Sequence, residues 1–232
     1  MSQYYQYLKL PKIDKQYLIK MKDIGLTLAE DLCKNPNKLT SVGYDHPYNR
    51  VTVSKMWAGT ETRYIGHNEY TGLDHECYEY LFNLLGPYNF IDLKITMIVF
   101  VNVVEKISYI PPHCDNDRPY SINYILETGG KDVVTSFHKK FVERPAIGGE
   151  FFAPNETSKP IESVRFRPNE WHIFQASTAH SISNIEGARI NLLMTMKDSI
   201  GNVRDRIPNI NFNDDLWYKN ILGRHSLQLC NE

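Results

Sequence analysis

The sequence predicts a mainly β protein, a sandwich or barrel such as a jelly roll, with α-helices supporting it from the N-terminal side. Three observations predict it. From residue 91 onward, short apolar runs recur at close intervals with Gly, Pro, Asn or Asp between them. No 3.6-residue periodicity interrupts those runs, so strand follows strand without a crossover helix. Aromatic residues make up 12% of the chain, with 15 tyrosines, and suit a β-rich core.

Taken in order, residues 16–33 place Tyr17, Met21, Ile24, Leu28 and Leu32 three and four apart, which predicts an amphipathic helix. Leu73 to Leu85 predicts a second, with Leu73, Cys77, Leu81 and Leu84 on one face. Thr71 with Asp74 reads as its capping box, and Gly86-Pro87 as its stop. The rest of the first 90 residues reads as loop. Strands are expected at Ile95–Val104, Tyr120–Leu126, Val133–Phe137, Glu150–Ala153, Ser163–Arg167, Glu170–Gln175, Ser181–Ile185 and Ala188–Met196. Gly129-Gly130, Gly148-Gly149, Pro154-Asn155, Pro168-Asn169 and Glu186-Gly187 supply the turns. The simplest organisation is one domain over 1–232. It comprises a helical and irregular N-terminal layer (1–90), a β core (91–200) and a C-terminal extension (201–232).

Bulk properties exclude several classes of function. With 26 Lys+Arg against 27 Asp+Glu, the net charge is -1, so no global electrostatic footprint for nucleic acid or anionic membrane exists. The N-terminus lacks a basic segment followed by an apolar one, and the most apolar run, Ile95–Val104, is far too short to cross a bilayer. Cys33, Cys77, Cys114 and Cys230 form no close pair, which argues for reduced thiols and a cytoplasmic location.

Two stretches carry chemistry. In Pro111-Pro112-His113-Cys114-Asp115, strand geometry would point His113 and Asp115 to one side and Cys114 to the other. One imidazole and one carboxylate are two of the three ligands in a 2-His-1-carboxylate metal site; alone, the pair is a weak signal. The second stretch runs from Thr178 to Leu192, with His180 followed nine positions later by Arg189. A hairpin at Glu186-Gly187 would lay the Arg189 strand beside the His180 strand.

The faces of the last strand separate cleanly. Ala188, Ile190, Leu192, Met194 and Met196 form an apolar face, and Arg189, Asn191, Leu193 and Thr195 the other. An ordinary half-buried strand would turn Arg189 to water. In a barrel flanked by helices, the apolar face packs outward on the helices and the polar face lines a cavity, where an arginine fork can grip a carboxylate. The same parity puts Ser121 and Asn123 inward and Tyr120, Ile122, Tyr124 and Leu126 outward. Asn102, alone in an apolar strand, is either a satisfied core amide or a pocket hydrogen bonder.

The ordered set His113-x-Asp115, Gly148-Gly149-Glu150, Arg167-Pro168-Asn169-Glu170, His180 and Gly187-Ala188-Arg189 resembles the Fe(II)- and 2-oxoglutarate-dependent dioxygenases, in particular their prolyl-4-hydroxylase-like branch. The resemblance covers about residues 98–197. It implies a double-stranded β-helix, the jelly roll by another name. It also implies Fe(II) on His113, Asp115 and His180, and 2-oxoglutarate with its distal carboxylate on Arg189. Dioxygen would be the second cosubstrate, and there is room for ascorbate as an accessory reductant. Asp115 points to hydroxylation of a C–H bond with release of succinate and CO2, because related halogenases lack that carboxylate. Asn102 and Asn191 stand where the nucleic-acid demethylase (AlkB-like) branch has asparagines, but Thr195 replaces that branch's further arginine and Val104 its tyrosine. A tyrosine that often assists the arginine would favour Tyr124 facing inward, where parity favours Asn123.

The resemblance leaves the substrate open between a protein residue and a small molecule, with no membrane or nucleic-acid partner expected and no oligomeric state indicated. Two other readings are a non-catalytic jelly-roll metal-binding protein and an AlkB-like demethylase. His172 competes with His180 as distal ligand; the spacing to Arg189 favours His180. His46, His67, His75, His138 and His225 read as surface or loop residues. Lys131, Lys139, Lys140 and Arg144 read as a solvated basic face or as a surface for an anionic or peptide substrate.

Overall fold

The computed structural model describes residues 2, 4–34, 43–46, 49–54, 62–67, 73–88, 91–102, 108–115, 120–138, 151–152 and 159–196. They form thirteen strands and two helices. In chain order these are β1 (Tyr5–Tyr7), α1 (Lys15–Lys34), β2 (Gly43–His46), β3 (Asn49–Ser54), β4 (Thr62–His67), α2 (His75–Leu85), β5 (Ile91–Asn102), β6 (Ser108–Cys114) and β7 (Tyr120–Thr128). They continue with β8 (Val134–His138), β9 (Phe151–Phe152), β10 (Pro160–Val164), β11 (Trp171–Gln175), β12 (His180–Ile185) and β13 (Arg189–Met196).

The strands make two antiparallel sheets. The larger runs β1-β11-β7-β13-β5-β4-β3-β2, and the smaller β10-β8-β12-β6-β9. The chain is thus mainly β. No helix among the described residues is long and apolar enough to cross a membrane.

The helices cover one face of the larger sheet, and the sequence explains why. Met21 and Ala29 of α1 and Cys77, Leu81 and Leu85 of α2 are buried at helical spacing. They join Ile190, Leu192 and Met194 of β13, Ile122, Tyr124 and Leu126 of β7, and Met97 and Val99 of β5 in one core. Alternation along β13 and β7 therefore works as parity requires, with the apolar face to the helices. At Gly25 the approach is close enough that a Cβ would lie 2.7 Å from Ile190 Cγ2. A small residue is needed where α1 meets β13.

α2 begins later than the expected capping box. Asp74 is itself the N-cap, its Oδ1 accepting from Cys77 N–H at 2.8 Å; Thr71 lies outside the described residues. Lys20 of α1 pairs with Asp74 at 2.7 Å and with Glu76, tying the two helices together. Gly86 ends α2, its N–H donating to Phe82 O at 2.8 Å.

The region before residue 90 corrects the expectation of helix and loop. β2, β3 and β4 add three strands to the free edge of β5, with Ile65 opposite Val99 and Val53 opposite Ile65. β1 likewise pairs with β11. Each run is short, and each finds its ladder partner only in tertiary structure, where sheet context overrides weak local pattern. Residues 201–232, Glu150 and Ala153 lie outside the described residues, as do Val104, Gly148-Gly149, Lys139, Lys140, Arg144 and His225.

Candidate active site

The second face of β13 and β7 points into the space between the sheets. Arg189 opens β13, opposite Phe100 of β5 and Thr128 of β7. Asn123 of β7 stands opposite Leu193 of β13 on one side and His172 of β11 on the other. From the smaller sheet come His180 and Ile182 of β12, Thr135 of β8 and Ile110 of β6. One cavity collects Arg189, Asn123, Asn191, His172, His180 and Asp115, between apolar walls that include Phe166 and Phe174. Asn123 faces the cavity and Tyr124 the helix-side core, against Trp171 with ring centroids 4.6 Å apart. Parity decided between them, and burial pushes the Tyr124 hydroxyl up to about 12.

His180 and Asp115 both line this cavity. In the β6–β12 ladder, His180 is directly opposite His113. That ladder shifts register next to the pair, where Pro111 and Pro112 bring no N–H. His180 Nδ1 lies 2.9 Å from Thr178 O. A carbonyl only accepts, so Nδ1 carries the hydrogen and the lone pair is on Nε2, the arrangement a metal-ligating histidine needs. Asp115 N–H donates to Ala176 O at 3.0 Å, pinning the end of β6 to the β11–β12 turn that also carries Thr178. The side chains of His113, Cys114 and Asn102 lie outside the described residues; Asn102 ends β5 opposite Thr62. Among the described residues, no three His, Cys, Asp or Glu side chains form a metal-sized group.

Arg189 lines the cavity as well. It is 4% exposed, and burial pushes its pKa down to about 10. Its Nη1–H donates to Thr128 O at 3.1 Å, while Nε makes no hydrogen bond and no acidic side chain pairs with it among the described residues. Asn191 Oδ1 is likewise buried and unpartnered. Asn123 Nδ2 donates to Ser121 Oγ at 3.0 Å, which fixes that amide. A buried guanidinium held by one carbonyl, with its Nε–H unused, is electrostatically incomplete. A carboxylate entering the cavity would complete it.

One contributor was not visible as functional in the sequence. Gly129 has φ 81°, and a Cβ there would lie 2.8 Å from Arg189 Cβ and 3.2 Å from its backbone. Its carbonyl accepts from Glu186 N–H at 2.8 Å and Gly187 N–H at 2.7 Å, bolting the end of β7 to the turn that starts β13. Gly129-Gly130 had signalled only a turn. His172, considered as a rival ligand, instead lies on the larger sheet, away from the His113–His180 pairing. His138 is a correction: it is buried, not superficial, its Nε2 2.9 Å from Ser181 Oγ. His75 is exposed as expected, paired with Glu79.

No family model matches this chain, and no curated protein matches it. The solved structures it matches include prolyl hydroxylases and Fe/2-oxoglutarate-dependent dioxygenases. A Trichoplax adhaerens prolyl hydroxylase in complex with a hypoxia-inducible-factor oxygen-degradation-domain peptide matches at TM-score 0.45 and 12% identity, over 84% of each chain. The epimerase SnoN, with Fe3+, alpha-ketoglutarate and nogalamycin RO, matches at 0.40 and 13%, over 83% of this chain and 79% of that one. A Pseudomonas putida prolyl-4-hydroxylase matches at 0.33 and 11%, over 83% and 90%.

Proposed function

We propose that the protein is an Fe(II)- and 2-oxoglutarate-dependent oxygenase that hydroxylates a C–H bond of a small molecule or a protein residue, acting in the cytoplasm. One observation carries the reading. A buried Arg189 without an anionic partner among the described residues shares a cavity with Asp115 and His180, and His180 pairs across the ladder with His113. The two sheets are then read as a double-stranded β-helix over residues 91–200, extended by strands from the N-terminal segment.

The residues fit both groups. Two imidazoles and a carboxylate suit Fe(II) with open positions, and His113, Asp115 and His180 would hold it. Arg189 would take the distal carboxylate of 2-oxoglutarate, with Asn123, Asn191 and Asn102 as neutral hydrogen bonders around it. When bound, the metal and cosubstrate supply dioxygen activation and the electrons for it. The chain's own part is positioning. Thr128 O and the Gly129 turn aim Arg189, Thr178 O sets the His180 tautomer, and Phe100, Phe166 and Phe174 exclude water.

The test is succinate release from 2-oxoglutarate with pooled peptides and metabolites, with and without Fe(II). Wild type should turn over only with Fe(II), and Asp115→Ala should lose at least about 100-fold, the order of cost for removing an essential group at a reaction centre. Fe(II)-independent release, or full activity in Asp115→Ala, would sink the assignment.

A further inference from the structure

His172 is 2% exposed, on β11, and lines the same cavity as Arg189. Its ring is stacked on Phe166 with centroids 3.9 Å apart and planes at 16°, and Tyr7 meets it edge-on at 6.2 Å. The side chain is therefore clamped in one orientation. Its Nδ1 lies 3.4 Å from Glu170 O, a long contact in which only the nitrogen can donate. Nε2 makes no hydrogen bond among the described residues. A locked, buried imidazole with one nitrogen unused, lining the same cavity as a guanidinium with an unused Nε–H, is built to meet something that enters.

We propose that His172 is the second side chain on the distal carboxylate of the 2-oxoacid cosubstrate, gripping it from β11 as Arg189 does from β13. This rests on the oxygenase reading above and goes further by naming the group that completes the carboxylate pocket. The role carries a proton. Without ligand, burial and then the nearby Arg189 cation push His172 down to about 3, so it is neutral at pH 7. A neutral imidazole with hydrogen on Nδ1 presents a lone pair at Nε2, which a carboxylate oxygen cannot bond. When the carboxylate arrives, it offsets Arg189 and supplies an anion, and Nε2 takes one proton from solvent to become a donor. The charged groups around the ring are consistent with this. Arg189 lines the cavity from β13 and Tyr7 packs on the ring from β1; Asp115 and His180 line the same cavity. Glu170 reaches it only through its carbonyl, because its carboxylate is paired with Arg167 at 2.9 Å.

Calorimetric titration of 2-oxoglutarate into Mn(II)-loaded protein, in buffers of different ionisation enthalpy, reads both affinity and proton count. Wild type should take up close to one proton per ligand at pH 7 and bind less tightly as pH rises. His172→Leu should bind at least tenfold more weakly with no uptake. His172→Gln should recover part of the affinity, through its amide donor, still with no uptake. Absence of uptake in wild type overturns the proposal even if a variant fails to fold, and so does wild-type affinity and uptake in His172→Leu or His172→Gln. These results are separable from failure of the oxygenase reading, in which wild type would not bind 2-oxoglutarate or Arg189→Met would bind it unchanged.

Discussion

Arg189 is costly to the fold and carries the proposed carboxylate grip. Its guanidinium is buried with Nε unbonded and no anion paired with it among the described residues, and such a charge weakens the unliganded protein. Arg189→Met, which keeps the volume and drops the charge, should therefore raise Tm without ligand while abolishing 2-oxoglutarate binding; a lower Tm would mean that Arg189 is structurally paired. His172 gives a pH signature. Its folded pKa, about 3, lies below the ordinary 6.5. The unfolded chain thus takes the proton first, and stability present above pH 6.5 is lost as pH falls toward 3. Asp74 and Glu127 are held low by Lys20 and Lys22 against the upward push of burial, and they add acid sensitivity only at lower pH. Between pH 7 and 5, Tm should fall in wild type and stay nearly flat in His172→Leu. Asp115, His180 and Arg189 were legible because a His-x-Asp pair and an alternating strand carry their own geometry. The cavity-facing side of His172, weighed only as a rival ligand, was not: Trp171, Ile173 and Phe174 make its strand apolar on both faces, so parity has no contrast to read.

At the scale of elements, the site depends on where strands begin. β13 must start at Arg189 for the guanidinium to reach the cavity, and Gly129 sets that start through two N–H···O bonds to its carbonyl. Its positive φ and the 2.8 Å approach to Arg189 Cβ leave no room for a side chain. Gly129→Ala should cost about 2–4 kcal/mol, from the left-handed backbone penalty and overpacking together, and should weaken 2-oxoglutarate binding as well. Urea unfolding with a parallel binding titration checks both, and a stability loss without loss of affinity would separate turn from site. α1, α2, β7, β12 and β13 were legible to within two or three residues because their periodicity is strong. β2–β4 were not, since short runs in the Asn49–Ser54 style become strands only once β5 offers an edge. The N-cap moved from Thr71 to Asp74 because either residue satisfies the local pattern, and the Lys20 contacts that select Asp74 come from a distant helix.

Across the whole molecule, the two sheets divide the labour. The larger one buries its apolar face under α1 and α2 and turns Arg189, Asn123, Asn191 and His172 inward; the smaller contributes His180, and β6 leads into Asp115. The groups proposed to hold metal and carboxylate thus come from opposite layers and meet only when both sheets pack. Local pattern singled out each group but not their shared cavity, which depends on pairings as remote in sequence as Tyr7 with His172. The balanced charge of -1 fits a site whose electrostatics are internal and does not suit a polyanion surface. The most direct measurement is anaerobic addition of 2-oxoglutarate to the Fe(II)-loaded protein, followed by visible absorption. A charge-transfer band that appears in wild type and is lost in Arg189→Met and Asp115→Ala is the predicted result. Its absence in wild type, with Fe(II) bound, would contradict the assignment.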